Sequence, residues 1–505
     1  MRKVLAAAVG ILFACPATAQ LVEVIYCNVP GQTTQQVPGI DGARFRAGFT
    51  NQFERPFRSQ DGRRWALTAR VADVSSDQDQ VLIIGGDVTG MTVVQKGVTE
   101  IEPGRVIDLS GIDPRVAISD AGVFVFTANL TGDTADDEVV VVGDLQSRAV
   151  ILREGQSIDS AIAGARLGPF LDACTIDNET HAVGVRGVQL QGVPIPQSTA
   201  LLVNNAATAA IQTGVSVPTP GVNPWTTLFA QSLYCDDTCG RWIATGQVVG
   251  GASSNDVIAV NGGIVIREGA ALAPFTSPVV GIGLMSEMIS NGSWFARGSN
   301  LDGMDWIVNN GALIATGNSL VPRGFATERY NDTRYSPTWF HMAGNYHGDF
   351  VIGGTTDFPD SRRNAVLVWN NEFVVLRKGD PVDLNGNGLA DDDTFVELFN
   401  DEDGFLTEDG YFYFTCDIRK GPAPVGQIFG RIAVVIPGQR GDMNCDGVVN
   451  NFDIDAFIIA VSDEFAYEAQ YPDCYRQNGD TNGDGRVDNF DIGSFVECVQ
   501  NQGCE

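Results

Sequence analysis

The stretch Val257-Ile258-Ala259-Val260-Asn261-Gly262-Gly263-Ile264-Val265-Ile266-Arg267-Glu268-Gly269 decides the fold. Two runs rich in β-branched residues flank Asn261-Gly262-Gly263. Asn and Gly tolerate the positive φ that a tight hairpin turn demands, so the stretch reads as a β-hairpin closed by a glycine. The pattern recurs from Val81 to Gly97, Val139 to Gly155, Ala200 to Gly214, Trp306 to Gly317, Val366 to Gly379 and Ile428 to Gly438. The closing glycines lie on average about 57 residues apart.

A second marker precedes each hairpin: a polar turn followed by an aromatic strand. It reads Asp61-Gly62 before Trp65, Asp120-Ala121-Gly122 before Phe124 and Phe126, and Cys239-Gly240 before Trp242. It continues as Asn291-Gly292 before Trp294, His347-Gly348 before Phe350, and Asp409-Gly410 before Phe412. The third unit keeps Asp177-Asn178 at this place without its glycine. A fixed period with a turn, an aromatic strand, a hairpin and room for one more strand predicts a mainly β protein. The architecture that fits is a seven-bladed β-propeller, in which stacked blades bury faces that no single sheet can bury. An open β-solenoid or two smaller β domains are the alternatives. The segment from Leu21 to Gly39 keeps the register of the repeat and is expected to donate a strand to the last blade. A Cys27–Cys416 disulfide would staple that closure. This region resembles bacterial secreted proteins built of Asn/Asp-x-x-Gly-x-x-x-Phe tandem repeats.

Beyond residue 440 the pattern changes. Asp442-Met443-Asn444-Cys445-Asp446-Gly447-Val448-Val449-Asn450-Asn451-Phe452-Asp453 and Asp480-Thr481-Asn482-Gly483-Asp484-Gly485-Arg486-Val487-Asp488-Asn489-Phe490-Asp491 are two copies of a twelve-residue loop. Oxygen side chains stand at positions 1, 3, 5, 9 and 12 with Gly at 6, which is the spacing that wraps a hard cation. Position 7 offers a backbone carbonyl whatever its side chain. Each loop runs into one apolar segment, Ile454 to Val461 and Ile492 to Val499.

Each loop ends in Asp where most EF-hands carry a bidentate Glu. The duplicated loop-helix over residues 441–505 resembles type I dockerin domains. The resemblance implies a small α-helical, EF-hand-like module holding two Ca²⁺ ions. The first set of ligands is Asp442, Asn444, Asp446, the Val448 carbonyl, Asn450 and Asp453. The second is Asp480, Asn482, Asp484, the Arg486 carbonyl, Asp488 and Asp491. It also implies docking onto a cohesin-like protein partner, as in dockerins that tether secreted, often polysaccharide-degrading, enzymes. The chain departs from the family at positions 10 and 11, where Asn451-Phe452 and Asn489-Phe490 replace small or hydroxyl residues. Ile459-Ala460 and Glu497-Cys498 stand where basic residues are usual.

Met1-Arg2-Lys3, an apolar run from Val4 to Ala14 and Ala17-Thr18-Ala19 read as a secretory signal peptide over residues 1–19. No later apolar run is long enough to span a bilayer. The expected location is outside the cell or on its surface. The net charge of −30 argues against nucleic acid and anionic membranes as partners and suits calcium. With 44% hydrophobic residues the chain has ample material for packed cores.

Of the ten cysteines, Cys15 falls in the signal peptide. Cys445, Cys474, Cys498 and Cys504 allow three pairings, of which Cys445–Cys474 and Cys498–Cys504 are favoured. Cys235 and Cys239 flank a tight turn and are a further disulfide candidate. Cys174 is read as a buried thiol.

A third acidic loop, Asp383-Leu384-Asn385-Gly386-Asn387-Gly388-Leu389-Ala390-Asp391-Asp392-Asp393, matches the calcium pattern at positions 1, 3, 5, 6 and 9. Position 12 is Thr394, so Asp392 or Asp393 must replace that ligand if Asp383, Asn385, Asn387 and Asp391 form a third calcium site. The stretch from Tyr330 to His347 mixes Asp332, Arg334, Trp339, His341 and Tyr346, a composition that suits either a glycan-binding cleft or blade packing. No nucleophile elbow, phosphate-binding loop or zinc pair occurs, and no carboxylate pair singles itself out as catalytic. These features predict an exported calcium-binding protein with a propeller binding domain and an attachment module. The rival readings are a tethered polysaccharide-degrading enzyme (a glycoside hydrolase or lyase) and a structural cell-surface protein.

Overall fold

The computed structural model describes residues 21–505 apart from 50, 159–163, 196–198, 204–207, 230–233, 236–239, 252–254, 290, 323, 326, 333–337, 435–439, 446–447, 464–465, 468–469, 472–473, 475, 480, 483–486 and 505. The signal-peptide reading and the candidate Cys235–Cys239 bridge lie outside what is described. So do the candidate ligands Asp446, Asp480, Asp484 and Arg486, the side chain of Cys174, and Arg334. The chain forms two compact units, Leu21–Ile432 and one containing Ala433–Glu505.

The larger unit is a seven-bladed β-propeller: seven separate sheets of four or five strands follow one another along the chain. Blade 4 shows how the repeat becomes a sheet. Trp242–Val248 is the aromatic strand, and Asp256–Val260 with Gly263–Arg267 is the hairpin. Asn261 at φ 49° and Gly262 at φ 81° make the left-handed turn between them. The strand that sequence reading left unspecified is the first of each blade. It runs Phe57–Arg58 in blade 1, Arg105–Ile118 in blade 2 and Asp172–Ile176 in blade 3. In blades 5 to 7 it is Val279–Met288, Trp339–Gly344 and Thr394–Leu406. These first strands pack against one another from blade to blade and surround the propeller axis.

Burial lies between blades. Val94 and Leu82 of blade 1 share one apolar cluster with Phe124 and Phe126 of blade 2. Phe295 and Ile307 of blade 5 share another with Ile352 and Val368 of blade 6. Trp65, Trp225, Trp306 and Trp339 are all no more than 1% exposed. Burying such a ring contributes about 2–3 kcal/mol, and these rings come from first, second and hairpin strands alike, so every part of a blade contributes to the radial contact.

Blade 7 closes the ring. Its Ala423–Ala433 strand pairs antiparallel with Val22–Cys27, in the register Glu23↔Arg431 and Cys27↔Ile428. The N-terminal strand thus fills the place of the outer hairpin strand expected after Ile428. It also pairs in parallel with Val382–Asp383. The proposed staple is corrected: Cys27 and Cys416 are both free and buried. Cys416 lies on Tyr411–Lys420, and the Ala423–Ala433 strand runs between it and Cys27. Two strand spacings put the Cα atoms about 10 Å apart, beyond the reach of a disulfide. Hydrogen bonds and an Arg431–Glu23 ion pair at 2.7 Å hold the seam instead.

The second unit contains α1 (Asp453–Ser462) and α2 (Ile492–Asn501), each following one of the twin loops. Met443, Ala456, Phe457, Tyr467, Val487 and Phe495 form its core. Disulfides join Cys445 to Cys474 and Cys498 to Cys504, the pairings favoured from sequence. No helix among the described residues is long and apolar enough to cross a membrane.

Candidate functional site

In the propeller, the marker turns join the first strand of each blade to the second, and they interlock. The Asp61 amide donates to Asp120 Oδ1 at 2.9 Å, and the Asp120 amide donates to Asn178 Oδ1 at 2.8 Å. Asn291 Nδ2 donates to the Tyr346 carbonyl at 3.1 Å, and the Tyr346 amide donates to Glu408 Oε1 at 2.9 Å. Arg58 of blade 1 reaches the same Glu408 at 2.8 Å. A Cβ on Gly62 would lie 2.9 Å from Thr407 Cα, so blades 1 and 7 meet too closely for any other residue there. The turns read as punctuation in the sequence are therefore clasps between blades.

The first strands enclosed by these clasps are irregular. Their pairing with the second strand jumps in mid-strand, between Ile112 and Val116 in blade 2 and between Phe399 and Gly404 in blade 7. The blade 7 jump carries Asp401-Glu402-Asp403. Glu402 sits at φ 61°, a conformation uncommon for a residue of its size. Arg55 from blade 1 donates to Glu402 Oε2 at 3.2 Å. Arg297 of blade 5 and Arg115 of blade 2 also act on the Glu402 charge. Arg115 faces Asp172 of blade 3 at 3.8 Å.

Asp401 is open to water, whereas Glu402 and Asp403 are half-buried. Burial pushes the Asp403 carboxyl up to about 7, against the opposing pull of Arg55 and a 3.1 Å hydrogen bond from Thr415. Burial likewise raises Glu402, and here too Arg55 opposes it. His341 of blade 6 is 2% exposed, and its ring meets Phe412 edge-on at 5.0 Å. Burial, and then the Arg55 charge, push its imidazole down to about 3, so it is neutral. His341 Nε2 has no hydrogen-bond partner among the described residues. The adjoining Cε1 faces Gly404, where an added Cβ would be 3.3 Å away. A cavity of about 220 Å³ between blades 5 and 6 is lined by Arg297, Asp305, Thr338 and Trp339.

Sequence reading missed this cluster. Asp401-Glu402-Asp403 looks like any exposed acidic run in a chain with 62 acidic residues. The Tyr330–His347 stretch does not make one cleft. Among its described residues, Tyr330 and Trp339 pack together in the core at 4.6 Å, Tyr346 is exposed in a marker turn, and His341 reaches the axial cluster.

In the second unit the twin loops are wired alike. Asp453 Oδ1 accepts the Met443 and Asn444 amides at 2.7 and 3.0 Å, and its Oδ2 accepts the Asn450 amide at 2.8 Å. Asp491 Oδ1 accepts the Asn482 amide at 3.1 Å, and its Oδ2 accepts the Asp488 amide at 2.9 Å. Asp442 is 2% exposed and Asp453 fully buried. Burial, reinforced by the Asp442 charge, lifts the Asp453 carboxyl. Two acids buried in one loop are a donor set suited to a hard cation. The third loop shares part of this wiring: Asp392 Oδ2 accepts the Leu384 and Asn385 amides at 2.8 and 3.1 Å, as Asp453 does for positions 2 and 3. Asp383 accepts the Gly386, Asn387 and Gly388 amides, while Asp391 holds the side-chain amides of Asn385 and Asn387. Among the described residues no three His, Cys, Asp or Glu side chains are grouped to hold a metal ion.

No family model matches the chain, and no curated protein matches it. Among solved structures the chain is similar to the Dos1 propeller at 10% identity and TM-score 0.36, over 78% of this chain and 94% of that one. It is similar to the WD40 β-propeller domain of Doa1 at 10% identity and TM-score 0.31, over 81% and 97%. It is also similar to puromycin hydrolase at 11% identity and TM-score 0.37, over 79% of this chain and 53% of that one.

Proposed function

We propose that the protein is exported, binds calcium through its C-terminal unit, and uses its propeller as a binding domain while that unit attaches it to a partner. The observation that supports this reading is the common wiring of Asp453 and Asp491, each of which accepts the backbone amides of loop positions 3 and 9, so that the twelfth residue ties both halves of its loop. Asp442, Asn444, Asn450 and Asp453 would hold one ion, and Asn482, Asp488 and Asp491 the other. Asp446, Asp480 and Asp484 would complete the sets. A third ion at Asp383 and Asp392 is the weaker extension. Calcium there supplies charge compensation and ties loop to helix, as in the dockerin-like modules this unit resembles.

Attachment is supported by a surface that repeats with the loops. Phe452, Ile454 and Ile458 are 79, 39 and 56% exposed, and their counterparts Phe490, Ile492 and Val496 are 81, 48 and 45% exposed. Large apolar side chains presented twice at equivalent places suit a protein partner with an apolar face, cohesin-like or otherwise. Export is supported by the N-terminal signal pattern and by two disulfides, which persist in oxidising compartments.

Calorimetry of the full chain with Ca²⁺ tests the reading directly. Two bound ions per chain, lost together in Asp453→Asn/Asp491→Asn, are expected; no heat on titration overturns it. Sequencing of the mature N-terminus should begin at Gln20, and retention of Met1 would remove the export claim.

A second reading, a polysaccharide-degrading enzyme, is favoured by one observation. Asp403 keeps its proton near neutral pH beside Glu402 in the axial cluster, and a carboxylic acid next to a carboxylate is the equipment of glycoside hydrolysis. Product analysis after incubation with polysaccharides separates this from binding alone.

A further inference from the structure

We propose that the axial cluster of the propeller is the binding site for a neutral saccharide, whose hydroxyl groups bridge the carboxyl and guanidinium groups that different blades bring to the axis. The inference rests on the reading of the propeller as a binding domain and names the ligand class of that domain.

The lining chemistry is mixed by construction. Arg55, Arg115 and Arg297 come from blades 1, 2 and 5, and the acids opposite them come from blades 3 and 7. A carboxylate only accepts hydrogen bonds and a guanidinium only donates them. A sugar hydroxyl does both, so neighbouring hydroxyls can span an acid and an arginine together. A ligand with a single charge has no such use for both. Anionic sugars are disfavoured, because Asp172, Asp401 and Glu402 already balance the three arginines and the whole chain carries −30. A free cation is disfavoured as well, because Glu402 already faces Arg55 at 3.2 Å and Asp172 faces Arg115 at 3.8 Å.

Two further observations point to an occupant. His341 Nε2 is buried without a partner among the described residues, on the side of the ring next to Gly404 and the Asp401–Asp403 run. Leaving such an atom unsatisfied costs about 1–3 kcal/mol, and a sugar hydroxyl would recover that. The backbone of Glu402 is held at φ 61°, and this kink sets three consecutive acids into the mid-strand break. Strain of that kind persists where the surroundings over-determine a functional conformation. Asp403, protonated near neutrality, adds a donor that an ionised carboxylate lacks.

The test uses the full chain with calcium present and titrates it by calorimetry with cellohexaose, xylohexaose, mannohexaose and laminarihexaose, with tri-galacturonate as the anionic control. At least one neutral hexasaccharide is expected to bind and the galacturonate to bind more weakly. Glu402→Gln should weaken binding about tenfold, the loss of one charge-assisted hydrogen bond. Asp403→Asn, which keeps a donor, should hold affinity within about threefold at pH 6 and abolish the loss seen in the native chain by pH 8. Melting curves confirm that each variant is folded. Absence of binding by every neutral sugar at about 5 mM overturns the inference, while the calcium heat measured on the same sample reports independently on the C-terminal unit. A sugar that binds equally well to both variants also overturns it, by placing the site elsewhere and leaving the binding role intact.

Discussion

Phe457 and Phe495 occupy the same place in the two loop-helix repeats, and their rings stack face to face with centroids 3.9 Å apart and planes 4° apart. The contact joins α1 to α2 through equivalent residues, so the duplication in the sequence becomes a local two-fold pairing in space. Phe452 and Phe490, just before the two helices, stay 79 and 81% exposed and remain available to a partner.

Removing this stack should therefore unfold the C-terminal unit more readily than any outer-face change. Phe495→Ala is expected to destabilise it by about 3–4 kcal/mol, and Phe457→Ala similarly. A double-mutant cycle by denaturant melting should return a coupling of about 1 kcal/mol. Phe490→Ala, at 81% exposure, should change stability by less than about 0.5 kcal/mol and weaken only partner capture.

Calcium should stabilise the same unit. At a concentration about a hundredfold above the dissociation constant, one ion adds about 2.7 kcal/mol. Scanning calorimetry of the full chain in Ca²⁺ and in EDTA should show the transition of the C-terminal unit move, and the propeller transition moves as well only where the third loop is filled. Two unmoved transitions would contradict the proposal.

The disulfides should differ in weight. Cys445–Cys474 spans 29 residues and Cys498–Cys504 spans 6. By chain entropy the first contributes about 3–4 kcal/mol and the second about 2. Cys445→Ser/Cys474→Ser should accordingly lower the melting temperature more than Cys498→Ser/Cys504→Ser.

Cys27 and Cys416 should behave as two inert thiols. Both are buried, and burial raises each thiol's pKa. Alkylation of the native chain should leave them unmodified, and denaturant should release both. Non-reducing peptide maps that link them would contradict the strand order of blade 7.

Asp403 gives the propeller a pH dependence of defined sign. Its carboxyl binds a proton up to about pH 7 when folded, whereas the unfolded group releases it near pH 4. The folded state therefore holds the extra proton between these values, and stability falls as pH rises through that window. Allowing for partial contact with water, Asp403→Asn should gain about 2 kcal/mol over the native chain at pH 8, and the difference should vanish below about pH 4. Denaturant titrations at both pH values measure it.

Much of the fold was legible in the chain. The Asn-Gly-Gly turn at Asn261 to Gly263 and its relatives set the outer hairpins, because only a few residue types accept a left-handed backbone there. Trp65, Phe124, Trp294 and Phe412 marked the second strands, because a stacked blade needs a large apolar contact at that place. Counting these units yielded seven blades and a ring closed from the N-terminus. Confinement of Cys445, Cys474, Cys498 and Cys504 to one small unit left three pairings, and the favoured one is the one that forms.

The axial cluster and the blade clasps were not legible. Arg55, Arg115, Arg297 and Glu402 are hundreds of residues apart at the extremes, and nothing in any one unit marks them as neighbours. Arg115 and Glu402 lie on first strands that are broken in mid-run and lack alternation, so periodicity is silent there. The Cys27–Cys416 staple failed for a related reason: both residues belong to the closing blade, but strand order inserts Ala423–Ala433 between them. Local composition and spacing determined which elements form, since backbone turn preference and burial period act over a few residues. Only the tertiary arrangement decided which charges meet at the axis and which thiols stay apart, because those relations depend on how seven sheets close around a common centre.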